Sequence, residues 1–578
     1  MRSFSGCQTC RSRKLKCDEV KPNVSSPTNE RRKRKGKNRS QDPEITQDVF
    51  EDSHVWLEVP DELRFINIED PYAEQDDTEI ANTDEAGETS RSPEPPVEPW
   101  DEQSSLVIGE DPYVINNEVD SPEIEDDPVA SRLATLHLIK HYKEGPGSWL
   151  DIFDTGCYFS GKVPVKAASR PLLKSAMCAI AAKHLYRLNR NRPSREEPIQ
   201  IPGGRGWRSS DWRYQSVKHY DEAIGHLKIA VDLHTYENDL SEKEDMLAAV
   251  AILCIYELMD APGTAWRAHL SALPLFKSTE DASFAASPIV IPRTAIQGPI
   301  LWSLARQDLL CAFISETQTR LDPKDMRLWQ NAGLATTEDG TLMPFSPPCS
   351  ADIRTSADIE EDTKSNELTW LLGKISNHLT SGDAINPTDY ALPDGQRPTV
   401  GVTQERLLER WRMLMAELKK WHDTLPLTFT PYARTPYPGD PESCFSAFEQ
   451  VWYELPICAA TMQNYHMAMI LMLVNQPQES TAIRSTVSAR LKSYRQIQEG
   501  VHHYAREICG VSLADPTDPV RANSVQALFV AGQVFYCKNE QEALLKLLSD
   551  IERDLGWTTR FHKAKLVDEW PKTDDEME

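Results

Sequence analysis

A chain of 578 residues with 40% hydrophobic and 26% charged residues can bury a large core, and its composition is that of a soluble protein. Its 12 cysteines, three at the extreme N-terminus and the rest scattered singly through apolar segments, exclude the disulfide framework of a small secreted scaffold and fit a reducing compartment. The net charge of −26 is split: residues 1–40 hold 13 Lys and Arg against 3 Asp and Glu, and residues 41–130 hold 2 against 29, which suggests a nucleic-acid-seeking terminus followed by an acidic arm.

The first seventeen residues contain Cys7, Cys10 and Cys17 in the spacing Cys-x2-Cys-x6-Cys. Thiolates at such spacing are soft, tightly binding zinc ligands. A short helix after Cys10 would point Arg13, Lys14 and Lys16 outward, with Arg11 at its start, where they can reach phosphates and base edges. No apolar signal-peptide core occurs in residues 1–10. The stretch CQTCRSRKLKCDEVKPN resembles the first half of the fungal binuclear zinc cluster. In that family, six cysteines hold two zinc ions and a helix enters the major groove of double-stranded DNA. The resemblance implies Cys7, Cys10 and Cys17 as metal ligands, Lys14 as the lysine that reads a guanine-rich triplet with Arg13 beside it, and Pro22 as the loop proline. The second Cys-x2-Cys-x6-Cys half does not follow Asn23, and the next cysteine is Cys157. Three thiolates cannot supply the bonds of two tetrahedral zinc ions, although they could hold one zinc with a water. Residues 1–24 therefore read as the N-terminal half of the motif. Val24 and Ser25 can be encoded by GTAAGT, a splice-donor sequence, which would explain the break through a lost coding segment.

Residues 25–40 form a basic segment, in which Arg31, Arg32, Lys33, Arg34, Lys35 and Lys37 read as a nuclear-import patch. Residues 41–130 are acidic and rich in Pro, Ser and Thr. They cannot bury enough apolar surface to offset chain entropy and are expected to be mostly disordered, with one apolar island at 55–68.

From residue 131 to 578 the pattern is helical. Leu172, Leu173, Ala176, Met177, Ile180, Ala181 and Leu185 recur at helix spacing, as do Leu407, Leu408, Trp411, Leu414, Met415, Leu418 and Trp421. A third stripe, Leu491, Tyr494, Ile497, Val501, Tyr504 and Ile508, predicts a helix over 490–508. Segments 245–258 and 457–474 are apolar nearly all round and are expected to be buried central helices. Polar loops are expected near 190–212, 275–296, 330–366 and 376–402. The longest apolar run, 246–256, is 11 residues, too short for a bilayer, so no membrane partner is expected. The fold class is mostly α: a large all-α domain preceded by the incomplete zinc-cluster segment and the acidic arm.

The segments HLIKHYKEGPGSWLDIFD, PLLKSAMCAIAAKHL, AILCIYELMD, GPILWSLARQDLLCAFISETQTRLD and AGQVFYCKNEQEALLKLLSDIERDLGW occur in that order, and the body they span resembles the fungal-specific transcription factor domain. That resemblance implies a regulatory region that controls activation and senses a metabolite. Arg306 and Asp308 stand inside an apolar helix and are expected to belong to a buried ion pair rather than to a ligand site. The body cysteines, Trp411 and Trp421 are expected in the core, and His502 and His503 on the surface or satisfied within it. Zinc-protease, nucleophile-elbow and phosphate-loop motifs are absent, so no enzyme is expected. The sequence thus points to a nuclear, sequence-specific regulator of RNA polymerase II genes that binds DNA through a zinc cluster. Its expected partners are transcription machinery or coregulator proteins, with a small-molecule effector as a further candidate. The alternative is a helical corepressor or ligand-sensing scaffold without direct DNA binding.

Overall fold

The computed structural model describes residues 128–190, 209–234, 240–260, 264–276, 297–337, 340–346, 353–380, 404–440, 442–477 and 487–571. The cysteine head, the basic patch and residues 41–127 of the acidic arm lie outside these residues, while 128–130 open the first helix.

Apolar spacing sets the helices of the first half. Helix α1 (Pro128–Glu144) leads into a short α2 (Pro146–Leu150) that opens on proline, then a π-turn (Tyr158–Lys162), α3 (Val163–Lys166) and α4 (Pro171–Arg190). On α4 the expected stripe is buried, with Leu173, Ala176, Met177, Ile180 and Ala181 all at 0% exposure. It packs along α5 (Ser209–His234) and α6 (Leu240–Leu258), the latter buried on nearly every side. Helix α7 (Thr264–His269), a 3-10 turn (Leu270–Phe276), α8 (Gln297–Ser315) and α9 (Met326–Asn331) follow. The side chain of Asp325 caps α9 by accepting from Leu328 N at 3.3 Å.

The second half is built around α12 (Pro456–Val474). This helix is long and apolar enough to cross a bilayer, but 78% of its apolar window is buried inside the body, which makes it a core helix. Gln463 Nε2 on this helix donates to Ile508 O at 3.2 Å and to Ser512 Oγ at 2.9 Å, tying it to α13 (Val487–Leu513). Around α12 lie α10 (Ile353–Leu379), α13 and α14 (Asp518–Gly532), while α11 (Gln404–Asp423) rests on α10. Among the described residues the strands are β1 (Ala433–Pro436) and β2 (Glu449–Trp452), antiparallel with Ala433 opposite Trp452. Arg434 clamps this hairpin to α13 through two 2.8 Å bonds to the Glu507 carboxylate. Helix α15 (Lys538–Leu555) buries Leu544, Leu547, Leu548 and Ile551 at helix spacing. It ends at Gly556, whose φ of +62° suits glycine and where a Cβ would stand 2.8 Å from Arg187 Cβ. Helix α16 (Arg560–Glu569) closes the described chain.

The mostly-α expectation holds, and the three striped helices and the two buried central ones are present. The polar loop expected over 330–366 is corrected: residues 353–366 are the first half of α10. The stripe on α13 is buried only from its middle onward, because Leu491 and Tyr494 are exposed while Val501 and Ile508 are buried. Trp421 is buried and Trp411 packs at the edge of the core, donating to Met472 O at 2.7 Å. The expectation for the cysteines is also corrected: Cys178, Cys254, Cys311, Cys458 and Cys509 are buried, but Cys157 and Cys537 are exposed. His502 is a satisfied side chain, 3.1 Å from Glu540 Oε2.

Candidate functional site

Helices distant in sequence converge on one cavity of about 150 Å³ in the middle of the body. Trp149 and Leu150 of α2 and Ile255 and Leu258 of α6 line it. Arg306, Leu310 and Phe313 of α8, Thr369 and Leu372 of α10, and Asn464 and Met467 of α12 line it as well. Asn523 and Gln526 of α14, Trp557, and His562 of α16 complete it. A mostly apolar hollow with a few convergent polar groups is the form of a small-molecule site.

Arg306 is the cationic side chain in that lining, apart from the imidazole of His562. Its Nη2 donates to Leu150 O at 3.0 Å, and the guanidinium stands 5.0 Å from the centre of the Phe153 ring. Burial pulls its pKa down to about 10, against the longer-range pull of Asp154, Asp151 and Asp362, so it remains charged at neutral pH.

The expected buried ion pair is present for Asp308 and corrected for Arg306. Asp308 is fully buried and turns to the following loop, accepting from Leu321 N at 2.9 Å and from Arg320 Nη1 at 3.4 Å. Burial raises its carboxyl to about 6, opposed by those same donors. Asp151 is likewise committed: it accepts from Phe159 N at 2.7 Å and from Ser160 N and Oγ at 2.6 Å each, tying down the π-turn. Its carboxyl is raised to about 6, chiefly by burial. Asp154 accepts from Gly156 N and Tyr158 N, and Asp362 from Thr155 N and Oγ1.

Several lining residues carry buried polar atoms without a hydrogen-bond partner: Trp149 Nε1, Gln307 Oε1, Gln526 Oε1 and His562 Nδ1. Burial pushes His562 down to about 4, with Lys565 adding to the effect. Behind Trp149, the ring of His184 lies edge-on at 4.9 Å, and His184 Nδ1 lies 3.0 Å from His141 Nε2. Among the described residues no group of three His, Cys, Asp or Glu side chains could hold a metal ion.

The residues expected to bind metal, Cys7, Cys10 and Cys17, lie outside the described residues. So do Arg11, Arg13, Lys14 and Lys16, expected at DNA, and Arg31, Arg32, Lys33, Arg34, Lys35 and Lys37, expected in nuclear import. As a donor set, the three thiols do not fit a two-zinc cluster. Of the cavity, the sequence singled out only Arg306, by its charge inside an apolar helix. Trp149 and Trp557 lie in the family-like segments without standing out there, and Gln526 and His562 gave no local signal, because their common feature is a position in space.

Residues 137–280 match the family described as the fungal-specific transcription factor domain, and this stretch includes the α2 and α6 residues that line the cavity. Over 503 residues the chain is 31% identical to transcription activator AMTR1 of Alternaria alternata, an alignment covering 76% of this chain and 64% of that protein. The chain thus spans just under two thirds of the length of this curated relative. No solved structure matches it significantly. The family match thus lies within the first part of the helical body, and the similarity to this relative extends over most of the chain.

Proposed function

We propose that this chain is a nuclear regulator of RNA polymerase II transcription, with the helical body as its regulatory part and the basic cysteine head as its DNA-facing end. The observation that carries this reading is the match of residues 137–280 to the fungal-specific transcription factor domain. It is supported by the relative named a transcription activator and by the charge split between head and arm. In this reading Arg11, Arg13, Lys14 and Lys16 meet phosphates and base edges, and Arg31, Arg32, Lys33, Arg34, Lys35 and Lys37 direct nuclear import. The acidic residues of 41–130 contact transcription machinery or coregulators, and the chain has no catalytic role.

The donor set favours a second reading. With only Cys7, Cys10 and Cys17, the head is half of a two-zinc cluster, and the body then acts as a corepressor or ligand-sensing scaffold without direct DNA binding. Binding of the purified full chain to a random duplex pool, with and without a zinc chelator, separates the two. No duplex selection supports the scaffold, and duplex selection that is lost on zinc chelation supports the DNA-binding regulator. A fluorescent fusion that stays out of the nucleus under every growth condition contradicts both.

A further inference from the structure

Arg306 is half-buried, and a guanidinium partly withdrawn from water loses hydration that an anion can best replace. Among the described residues no carboxylate lies within 4.0 Å of Arg306, whereas other core cations such as Lys183 and Lys364 each have one. The carboxylates that act on Arg306 from further away, Asp151, Asp154 and Asp362, are already held by backbone and hydroxyl donors. Arg306 instead lines the cavity, together with apolar side chains and the amides of Asn523 and Gln526.

We infer that this cavity binds a small organic monocarboxylate with an apolar body, its carboxylate paired with the Arg306 guanidinium. The planar fork of arginine matches a carboxylate with two parallel hydrogen bonds. A phosphate dianion is a poor fit, because no lysine and no second arginine lines the cavity. The volume sets the body: about 150 Å³ is the size of cavity that admits benzene, so an aromatic ring or a chain of about six to ten carbons fits. The unpartnered Gln526 Oε1 offers an acceptor for one hydroxyl or N–H on that body. This inference goes beyond the transcriptional reading and does not rest on it, since binding can be measured whatever the chain regulates.

The test uses the purified full chain with phenylacetate and octanoate as probes, and phenylacetamide and octanamide as neutral isosteres. Binding is followed by the melting temperature and by the fluorescence of the tryptophans, two of which, Trp149 and Trp557, line the cavity. The acids are expected to bind saturably, and the amides at least about tenfold more weakly, because the charge-assisted pair is lost. Arg306→Gln is expected to remove that preference. Ala522→Leu, which adds bulk to the cavity wall and keeps Arg306, is expected to weaken acids and amides alike. Amides that bind as well as acids, acid binding unchanged in Arg306→Gln, or no saturable binding of either acid would each overturn the inference. Should Arg306→Gln fail to fold, the acid-to-amide ratio on the unaltered chain and the Ala522→Leu result still decide.

Discussion

In the region where α10 meets α11, Lys364 Nζ lies 3.0 Å from Glu367 Oε2, with side-chain exposures of 4% and 1%. Trp421 Nε1 donates to Lys364 O at 3.2 Å and closes the region off. In the region where α8 meets α2, the Arg306 guanidinium has one backbone acceptor, an aromatic neighbour, and a cavity in place of a carboxylate. Lys364 is buried and Arg306 half-buried, and among the described residues only Lys364 has a carboxylate within 4.0 Å. A paired and sealed charge sets the geometry of two helices, whereas an unpaired one beside a hollow leaves its counter-ion to be supplied from outside.

The largest effect expected is at the sealed pair. Lys364→Met leaves the Glu367 carboxylate buried alone, where burial already raises its pKa, and should cost about 3–5 kcal/mol in urea unfolding. A loss below about 1 kcal/mol would erase the contrast between the two regions.

Acid should act next, through histidines held neutral by burial. His466 is pushed down to about 3, and His141, His378 and His562 to about 4, in each case chiefly by desolvation. Below the unfolded value of about 6.5 the unfolded chain takes up these protons first, so stability is lost as pH falls from about 6.5 towards 4. Asp151 and Asp308, raised to about 6, act in the opposite direction because the folded chain protonates them first. Two aspartates with smaller shifts do not offset four histidines, and the melting temperature should therefore fall across that window. A flat profile would show that the histidines are not held neutral.

Gly556→Ala should cost about 1–2 kcal/mol, since the left-handed turn that ends α15 strains any Cβ and Arg187 crowds it. This change touches neither cation and calibrates the others. The smallest effect belongs to Arg306→Met. It loses one hydrogen bond to Leu150 O but relieves an unpaired charge, so its stability without ligand should change by no more than about 1 kcal/mol. A loss as large as that of Lys364→Met would make Arg306 a structural cation.

The sequence made the helices legible wherever burial is apolar and local. The stripes of α4 and α11 and the all-round apolar faces of α6 and α12 repeat within a few residues, so spacing alone finds them. Helix α10 was partly hidden because its buried face carries Glu361, Lys364, Ser365 and Glu367, which imitate a polar loop. The exposed Leu491 and Tyr494 continue a genuine helical stripe past the point where α13 still meets the core. Arg306 stood out as a charge in an apolar helix, but its lack of a partner did not, because Asp308 turns to Arg320 twelve residues further on. The cavity draws on helices hundreds of residues apart, and no local pattern encodes that meeting.

The most direct measurement is transcription from a reporter whose promoter carries sites for a heterologous DNA-binding module, with the full chain fused to that module. Tethering removes the dependence on the cysteine head and asks only what the rest of the chain does. Reporter output should change reproducibly, up or down, relative to the module alone. A stably expressed nuclear fusion that leaves output unchanged would contradict a role in transcription.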